Sequence, residues 1–417
     1  MGYKFYNYLK GKCNIRYKGI PLNKIITYDL LILFESKEIP KYSLKQSWQN
    51  SKVIEIDENF IVFIKCENII SYSIDRIDYS ELILDYKNEF FNNSKIFKIN
   101  LKKIKLSARF FKFQRLKTEF NFLFTKVFLF FKFLKDKSLT SSQVNWLVSR
   151  ITSYKNTIDY YEKIMNSNKI VLKNQLTFNS SFYHESILSL VLKKHKVRTI
   201  SMVHGVYVKY KEFVPLDIIN YENVCASEVW TWSKSTHELF KTYNPSTLLI
   251  EKGNPKYHNL CLGSVKIPKN NCIILLGRKI YEKANHSLCE ILISDNIKMM
   301  NLKFSLKLHP SLNENNYSKY NLNIIKDKTV NEIIGLFDFS ISINTSAYIE
   351  SYVKGIIGLR YVAFENELFL GFEKDKFKND IELIECVKYF KSLDKQEIIK
   401  ITNEVSYINF NCKPYKI

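Results

Sequence analysis

Glycine and proline are scarce in this chain, at 11 and 8 of 417 residues. Flexible linkers are built from one or both, so long tethers between domains are excluded. The eight cysteines, at 13, 66, 225, 261, 272, 289, 386 and 412, are scattered. They form no CxxC pair and no Cys/His spacing that would ligate a metal. They read as reduced, buried thiols of a cytosolic protein, with no metal site expected. No run of ~18 or more uncharged apolar residues occurs, which excludes a membrane-spanning helix. The opening MGYKFYNYLKGK lacks the apolar core of a secretory signal, and Tyr6 stands where a myristoylation motif requires Ser or Thr. No RRM, KH, zinc-finger or helix-turn-helix signature is present, so nucleic acid is not an expected partner.

What the chain has in abundance is positive charge: 63 Lys and Arg against 41 Asp and Glu, a net +22. That balance favours anionic partners such as phosphorylated substrates or lipid headgroups. The plainer reading is a Lys-rich surface set by composition. Hydrophobic residues make up 46%, enough for substantial cores, and 417 residues fit one large or two medium domains.

Residues 1–110 alternate short apolar runs with polar breaks. KIITYDLLILFE, KVIEI, NFIVFIKC and NIISYSI are strand candidates. Residues 108–137, ARFFKFQRLKTEFNFLFTKVFLFFKFLKDK, differ: Phe and Leu dominate and a basic residue recurs every few positions. The segment fits an interfacial membrane helix, or a core-packed helix with snorkelling lysines. From 139 onward, SSQVNWLVSRITSYKNTIDYYEKIM predicts a long helix with a Ser N-cap. NKIVLKN, then HESILSLVLKKHK, then TISMV read as a β-α-β unit, the mark of a parallel sheet. The logic repeats in the second half: strands at 271–279, 303–310, 321–327, 338–344 and 356–362, with helices at 281–298, after Thr329 and at 345–355. The fold class expected is α/β with two Rossmann-like domains, 1–255 on the acceptor side and 256–417 for the donor, facing a central cleft.

In such sheets, ligands bind beyond the carboxyl ends of the strands. His204-Gly205, Gly277-Arg278, His309-Pro310 and Asn344-Thr345-Ser346 all fall at those ends. Thr345 and Ser346 open a helix whose N–H groups and dipole suit a phosphate, although plain N-capping also accounts for them. Glu350, one turn further, can reach ribose hydroxyls or face solvent. His309 is turned by Pro310 and can donate to a phosphate oxygen, and Arg278 can clamp the same group. His204 is the candidate general base, because an imidazole titrates near neutrality, and Gly205 permits close approach. Glu212 or Asp217 are alternatives for that role. His184 and Glu185 are acceptor-side candidates that a helix start explains equally well. His195, His237, His258 and His286 read as structural.

The order VHG, ASEVWTWSKSTHELF, GNPKY, KLHP, INTSAYIE resembles the GT-B glycosyltransferases of bacterial surface polysaccharide synthesis, over roughly residues 170–362. Two groups are similar. One is the CMP-sugar sialyl-, polysialyl- and Kdo-transferases, with an HP motif and a Ser/Thr-rich motif. The other is the CDP-glycerol glycerophosphotransferases, with WHGT-like, G-x-P, K-x-HP and DYSS-x-x-FD motifs. Val203 and Val206 replace the Trp and Thr of the WHGT pattern, Lys256 stands where Arg is usual, and SINTS lacks the Asp-Tyr pair. The resemblance implies that His309, Thr345 and Ser346 bind the nucleotide phosphate, with Glu350 near the ribose. It places His204 at the essential histidine of the glycerophosphotransferases. It further implies an inverting, metal-independent transferase, without cofactor, that moves an acidic sugar from a CMP-linked donor. The acceptor is a capsule, O-antigen or lipooligosaccharide glycan, free or lipid-linked, and the setting is cytoplasmic at an anionic inner-membrane surface. The alternatives are a CDP-glycerol-type polyol-phosphate transferase, a UDP- or GDP-sugar transferase, and a non-catalytic polysaccharide- or membrane-binding partner.

Overall fold

A computed structural model describes residues 2–35, 42–73, 77–105, 112–133, 138–178, 180–181, 183–203, 205, 209–210, 218–258, 264–343, 345–362, 367–368 and 371–416. The chain divides into two compact units. Unit 1 comprises Met1–His204, Pro215–Trp230 and Phe240–Ile250; unit 2 comprises Gly205–Val214, Thr231–Leu239 and Glu251–Ile417.

Unit 1 is organised on a six-stranded sheet. Its strands are β1 (Asn68–Tyr72), β2 (Lys95–Lys98), β3 (Asn174–Thr177), β4 (Arg198–Met202), β5 (Glu228–Thr231) and β6 (Leu248–Glu251), in the spatial order β6-β5-β4-β3-β1-β2. The pairs β2 with β1, β1 with β3, β3 with β4 and β4 with β5 all run parallel. Three helices carry the argument here: α1 (Lys112–Phe133), α2 (Ser141–Ser167) and α3 (Tyr183–Lys194). The cap of α2 is Thr140 rather than a serine, with Gln143 completing a reciprocal capping box.

Three expected strands of this half take other forms. KIITYDLLILFE folds as helices Leu22–Ile25 and Thr27–Glu35, because Ile25, Ile26, Leu30 and Leu33 are buried at helical spacing. Asp29 lies on the same buried face, where it accepts from Arg150 Nε at 2.9 Å and from Tyr154 Oη at 2.6 Å. Within NFIVFIKC a short helix, Phe60–Phe63, replaces the strand. In NKIVLKN the backbone N–H groups of Val171, Leu172 and Lys173 bond to Ile64 and Glu67, so pairing in the sheet begins only at Asn174.

Helix α1 packs one face against α2 and leaves the other exposed. Its inward face is Thr118, Asn121, Thr125, Leu129 and Phe133, all buried. Polar contacts tie that face down: Lys155 Nζ donates to Thr125 Oγ1 at 2.8 Å, and Lys117 pairs with Asp159 at 2.8 Å. The outward face is Leu116, Phe120, Leu123, Phe124, Val127, Phe130 and Phe131, each between 44% and 69% exposed. Phe122 and Phe128 also pack against the core, so the helix is apolar on its exposed face as well as on its packed one, unlike an ordinary surface helix. No helix among the described residues is long and apolar enough to cross a membrane.

Unit 2 carries the second six-stranded sheet: β7 (Asn271–Leu275), β8 (Lys303–Lys307), β9 (Asn323–Ile324), β10 (Phe339–Ser342), β11 (Ile357–Tyr361) and β12 (Lys376–Phe377). The order β9-β8-β7-β10-β11-β12 is parallel throughout, with Leu275 opposite both Lys307 and Ser342. Counted within the unit this is 3-2-1-4-5-6, the doubly wound order, whose topological switch point lies between β7 and β10. Helices α4 (Glu282–Leu292), α5 (Ala347–Val353), α6 (Asp380–Ser392) and α7 (Lys395–Phe410) accompany it. Gly355, at φ +79°, follows α5, and a Cβ there would lie 3.0 Å from the Ser264 carbonyl. The expected α/β class with two Rossmann-like parallel sheets is what the chain forms.

Candidate functional site

The carboxyl ends of β7, β8 and β10 bring together residues that are far apart in sequence. After β7, Leu276 N donates to the Lys307 carbonyl at 3.2 Å, which keeps the outgoing chain beside β8. Gly277 follows, buried. Asn285 of α4 holds it from both sides, accepting from its N–H at 2.9 Å and donating to its carbonyl at 3.0 Å. A Cβ on Gly277 would come within 3.1 Å of the Ile343 carbonyl and 3.2 Å of the Tyr281 ring. A side chain there would press on both neighbours: Ile343 directly follows β10, so the two sides of the switch point touch at Gly277. Arg278 is exposed immediately beyond.

His309 and Pro310 form the turn after β8. Ser311 N donates to His309 Nδ1 at 3.1 Å, and Ser311 Oγ lies 2.9 Å from the same nitrogen. A neutral ring that accepts at Nδ1 carries its proton on Nε2, the donor that a phosphate oxygen needs. Ser311 Oγ also accepts from Lys279 N at 3.0 Å, which links the His309 turn to the Arg278–Lys279 turn.

After β10, Thr345 and Ser346 are half-buried. The helix there is shorter than its sequence implies. It runs Ala347–Val353 instead of 345–355, and Ser346 occupies the cap position without a side-chain cap bond. Thr345 Oγ1 accepts from Ala347 N at 3.3 Å. One first-turn N–H is therefore already engaged, and two turns of helix supply a smaller dipole than the expected three. Glu350 keeps partial exposure, and burial raises its pKa above the ordinary carboxyl value while Lys256 and Lys354 act in the opposite direction. Lys256 belongs to GNPKY, so two of the motifs from the sequence meet electrostatically.

In unit 1, Glu185 of α3 is fully buried at the ends of β1 and β3. It accepts from Ser73 N at 2.8 Å, Ser73 Oγ at 2.5 Å and Thr177 Oγ1 at 2.6 Å. The geometry gives this carboxylate the task of joining two strand ends. His184 is buried beside it with Nε2 2.5 Å from Tyr161 Oη, and burial pushes its pKa down to about 3, so the ring stays neutral. Gly205 has open space where a Cβ would stand, and its φ lies outside the left-handed region, so local packing does not require glycine. His204, Glu212, Asp217 and Asn344 lie outside the described residues. His195, His237 and His286 have structural partners: Glu162 at 3.4 Å, Glu251 at 3.7 Å and Tyr320 at 2.9 Å. Asn285 and Ser311 escaped sequence reading, and Lys256 was read only as a departure from a motif. An Asn on the otherwise apolar side of a helix eight residues after Gly277 was the available signal for the first.

Among the described residues, no group of three or more His, Cys, Asp or Glu is placed to hold a metal ion. No protein-family model matches the chain, and no curated protein matches it. Solved structures are similar at low identity. The GtfA/B complex aligns at 10% identity over 60% of this chain and 57% of that one, with a TM-score of 0.42. The wall teichoic acid polymerase TagF aligns at 10% identity over 94% and 88%, with a TM-score of 0.38. The UDP-GlcNAc 2-epimerase from Neisseria meningitidis, bound to UDP-GlcNAc, aligns at 13% identity over 84% and 96%, with a TM-score of 0.42. This chain spans little more than half the length of the first of these.

Proposed function

We propose that the protein is a GT-B-class glycosyltransferase whose donor binds at the switch point of unit 2. The observation that carries this reading is the convergence of Gly277, Arg278, His309 and Thr345 at adjoining strand ends of a 3-2-1-4-5-6 parallel sheet. The His309 Nε2–H and the Arg278 guanidinium supply donors to a phosphate there, and Glu350 lies one turn into α5 for a ribose hydroxyl. The order of motifs in the sequence favours a cytidine nucleotide, most simply CMP linked to an acidic sugar of the sialic, related nonulosonic or Kdo type. In that reaction a base takes the acceptor hydroxyl proton, and sequence order assigns this role to His204, with Glu212 as the alternative. The acceptor oxygen attacks the anomeric carbon opposite the leaving group, so configuration inverts. The bond to the nucleotide phosphate breaks, and Arg278 and His309 meet the charge that develops there. The VHG and KLHP elements favour glycerol phosphate transfer from CDP-glycerol as the second reading.

Titration of thermal unfolding with CMP, CDP, UDP and GDP separates these readings, since ligand binding to the native state raises the melting temperature. A CMP-selective rise is expected, with affinity at least about tenfold weaker in His309→Ala, a loss of about 1.4 kcal/mol. A CDP-selective rise supports polyol-phosphate transfer. No rise with any nucleotide overturns the enzyme reading in favour of a non-catalytic binding partner.

The setting proposed for this activity is an anionic membrane surface bearing a lipid-linked glycan acceptor, with α1 as the contact. Its outward stripe offers seven large apolar side chains, with Lys126 and Lys132 on the same helix. A triple variant, Phe120→Ser, Phe124→Ser and Phe131→Ser, is expected to reduce partitioning onto phosphatidylglycerol vesicles at least tenfold, because each phenyl ring contributes roughly 1.5–3 kcal/mol when fully buried. Unchanged partitioning, measured by co-sedimentation, removes α1 from that role.

A further inference from the structure

A second basic site lies in unit 1, away from the carboxyl ends of its strands. A cavity of about 480 Å³ opens among the 16–21 turn, the last turn of α3, residues 224–227 ahead of β5, and residues 246–247 ahead of β6. It therefore sits at the amino ends of β4, β5 and β6, whereas Glu185, Ser73 and Thr177 mark the carboxyl ends of that sheet. Its size falls within the range of small-molecule sites, roughly 300–1,000 Å³.

Five cations line it: Arg16, Lys18, Lys24, Lys193 and Lys194. Two have acidic partners, Lys18 with Asp159 at 2.5 Å and Lys194 with Glu162 at 3.0 Å. Among the described residues no carboxylate lies within salt-bridge distance of Arg16, Lys24 or Lys193, and Lys24 Nζ reaches only the Val224 carbonyl, at 3.4 Å. The positive charge is concentrated further behind the wall. Lys10 lies near Lys24, and burial together with that like charge pushes its pKa down to about 8, despite Glu222 at 3.8 Å. Cys225, which lines the cavity, feels Lys24, Lys193 and Lys10 together. The carbonyls ending α3 carry partial negative charge, but Lys193 and Lys194 in the same turn outweigh it. Leu190 and Val224 give the cavity an apolar wall, and Ser246 and Thr247 add hydroxyls.

Arg16, Lys24 and Lys193 line one cavity without carboxylate partners among the described residues, and a ligand with two to three negative charges balances them. We propose that this cavity binds a diphosphate group through Arg16, Lys24 and Lys193. A soluble diphosphate compound and the diphosphate head of a lipid share that chemistry. The site is independent of the donor site of unit 2 and does not require the transferase reading.

Hydrogen-exchange mass spectrometry on the full chain localises the ligand. With inorganic pyrophosphate, peptides covering 16–25, 190–197, 222–228 and 244–248 are expected to exchange more slowly. In the double variant Arg16→Gln, Lys193→Gln the pyrophosphate concentration needed rises at least about tenfold. Both side chains are exposed, so the variant keeps the native exchange pattern elsewhere. Any protection at 277–281 and 309–312 in unit 2 is unaffected by this variant, which separates the two sites. A parallel arm uses phosphatidylcholine vesicles with and without farnesyl diphosphate. Protection by free pyrophosphate assigns a soluble ligand; protection only by the doped vesicles assigns a lipid headgroup. Protection by neither probe, or equal protection in the double variant, overturns the proposal.

Discussion

Asp375→Asn is expected to cost unit 2 about 3–5 kcal/mol of stability, the usual consequence of removing one partner of a buried ion pair. Asp375 is fully buried and Arg360 is 5% exposed. The guanidinium Nε donates to Asp375 Oδ1 at 2.8 Å and a second nitrogen lies 2.7 Å from the same oxygen. Tyr348 Oη and Tyr352 Oη both contact Oδ2, the latter at 2.9 Å. The carboxylate therefore neutralises one cation and satisfies two hydroxyls at once. An asparagine keeps the shape and one acceptor but leaves the arginine charged in a dry environment. With a domain's total stability near 5–15 kcal/mol, such a loss is read readily by urea denaturation. A second change, Arg360→Met in the same background, is expected to recover much of it, because the cost lies in the stranded charge. A loss below about 1 kcal/mol for Asp375→Asn means that water or another anion reaches Arg360 and contradicts the buried-pair account.

The second large effect is a pH dependence centred on His184. Its folded pKa, about 3, lies below the unfolded value of 6.5. As pH falls through 6.5 the unfolded chain takes up a proton that the folded chain refuses, so stability is complete above 6.5 and is lost progressively toward pH 3. At pH 5 the loss is about 2 kcal/mol. Asp57 works in the opposite direction. Its backbone N–H bonds to Tyr161 Oη, the hydroxyl that also meets His184, and burial raises its carboxyl to about 6. The folded chain then takes up that proton before the unfolded one, returning about 1 kcal/mol by pH 5. His184→Gln removes only the histidine contribution, so its stability between pH 7.5 and pH 5 is expected to exceed the wild-type trend by about 2 kcal/mol. Identical pH profiles for the two proteins overturn the assignment of His184 as a neutral structural ring.

Much of unit 2 was legible because its strands are short apolar runs with punctuation at their ends: Gly277 after β7, His309-Pro310 after β8, Gly355 before β11. Those signals fix where strands stop, and parallel topology then fixes which stops are neighbours. The apolar runs between residues 24 and 73 carried little such punctuation. In KIITYDLLILFE an apolar run of that length fits a strand or a buried helix, and only the tertiary partners of Asp29 decide between them. The network of Arg360 and Asp375 was invisible for a related reason. Its members lie 15 residues apart, on β11 and just ahead of β12, and nothing local marks either as buried. Glu185 shows the converse case. A carboxyl after a polar segment looks available for chemistry, and only the hydroxyls of Ser73 and Thr177 reveal that it also ties two strand ends together. In α1 the composition was informative but the facing was not, since Thr and Asn at the inward positions are what a surface reading assigns to the outside.

The exposed apolar face of α1 also bears on colloidal behaviour. Copies of a chain with net charge +22 repel one another, while each exposes an aromatic stripe that water disfavours. At low ionic strength, with a screening length of about 30 Å in 0.01 M salt, repulsion acts before the stripes can meet. Near 1 M salt the range shrinks to about 3 Å and the stripes are free to associate. Light scattering should then rise with salt rather than fall, the reverse of salting-in, and the Phe120, Phe124 and Phe131 serine variant should stay monodisperse across the range.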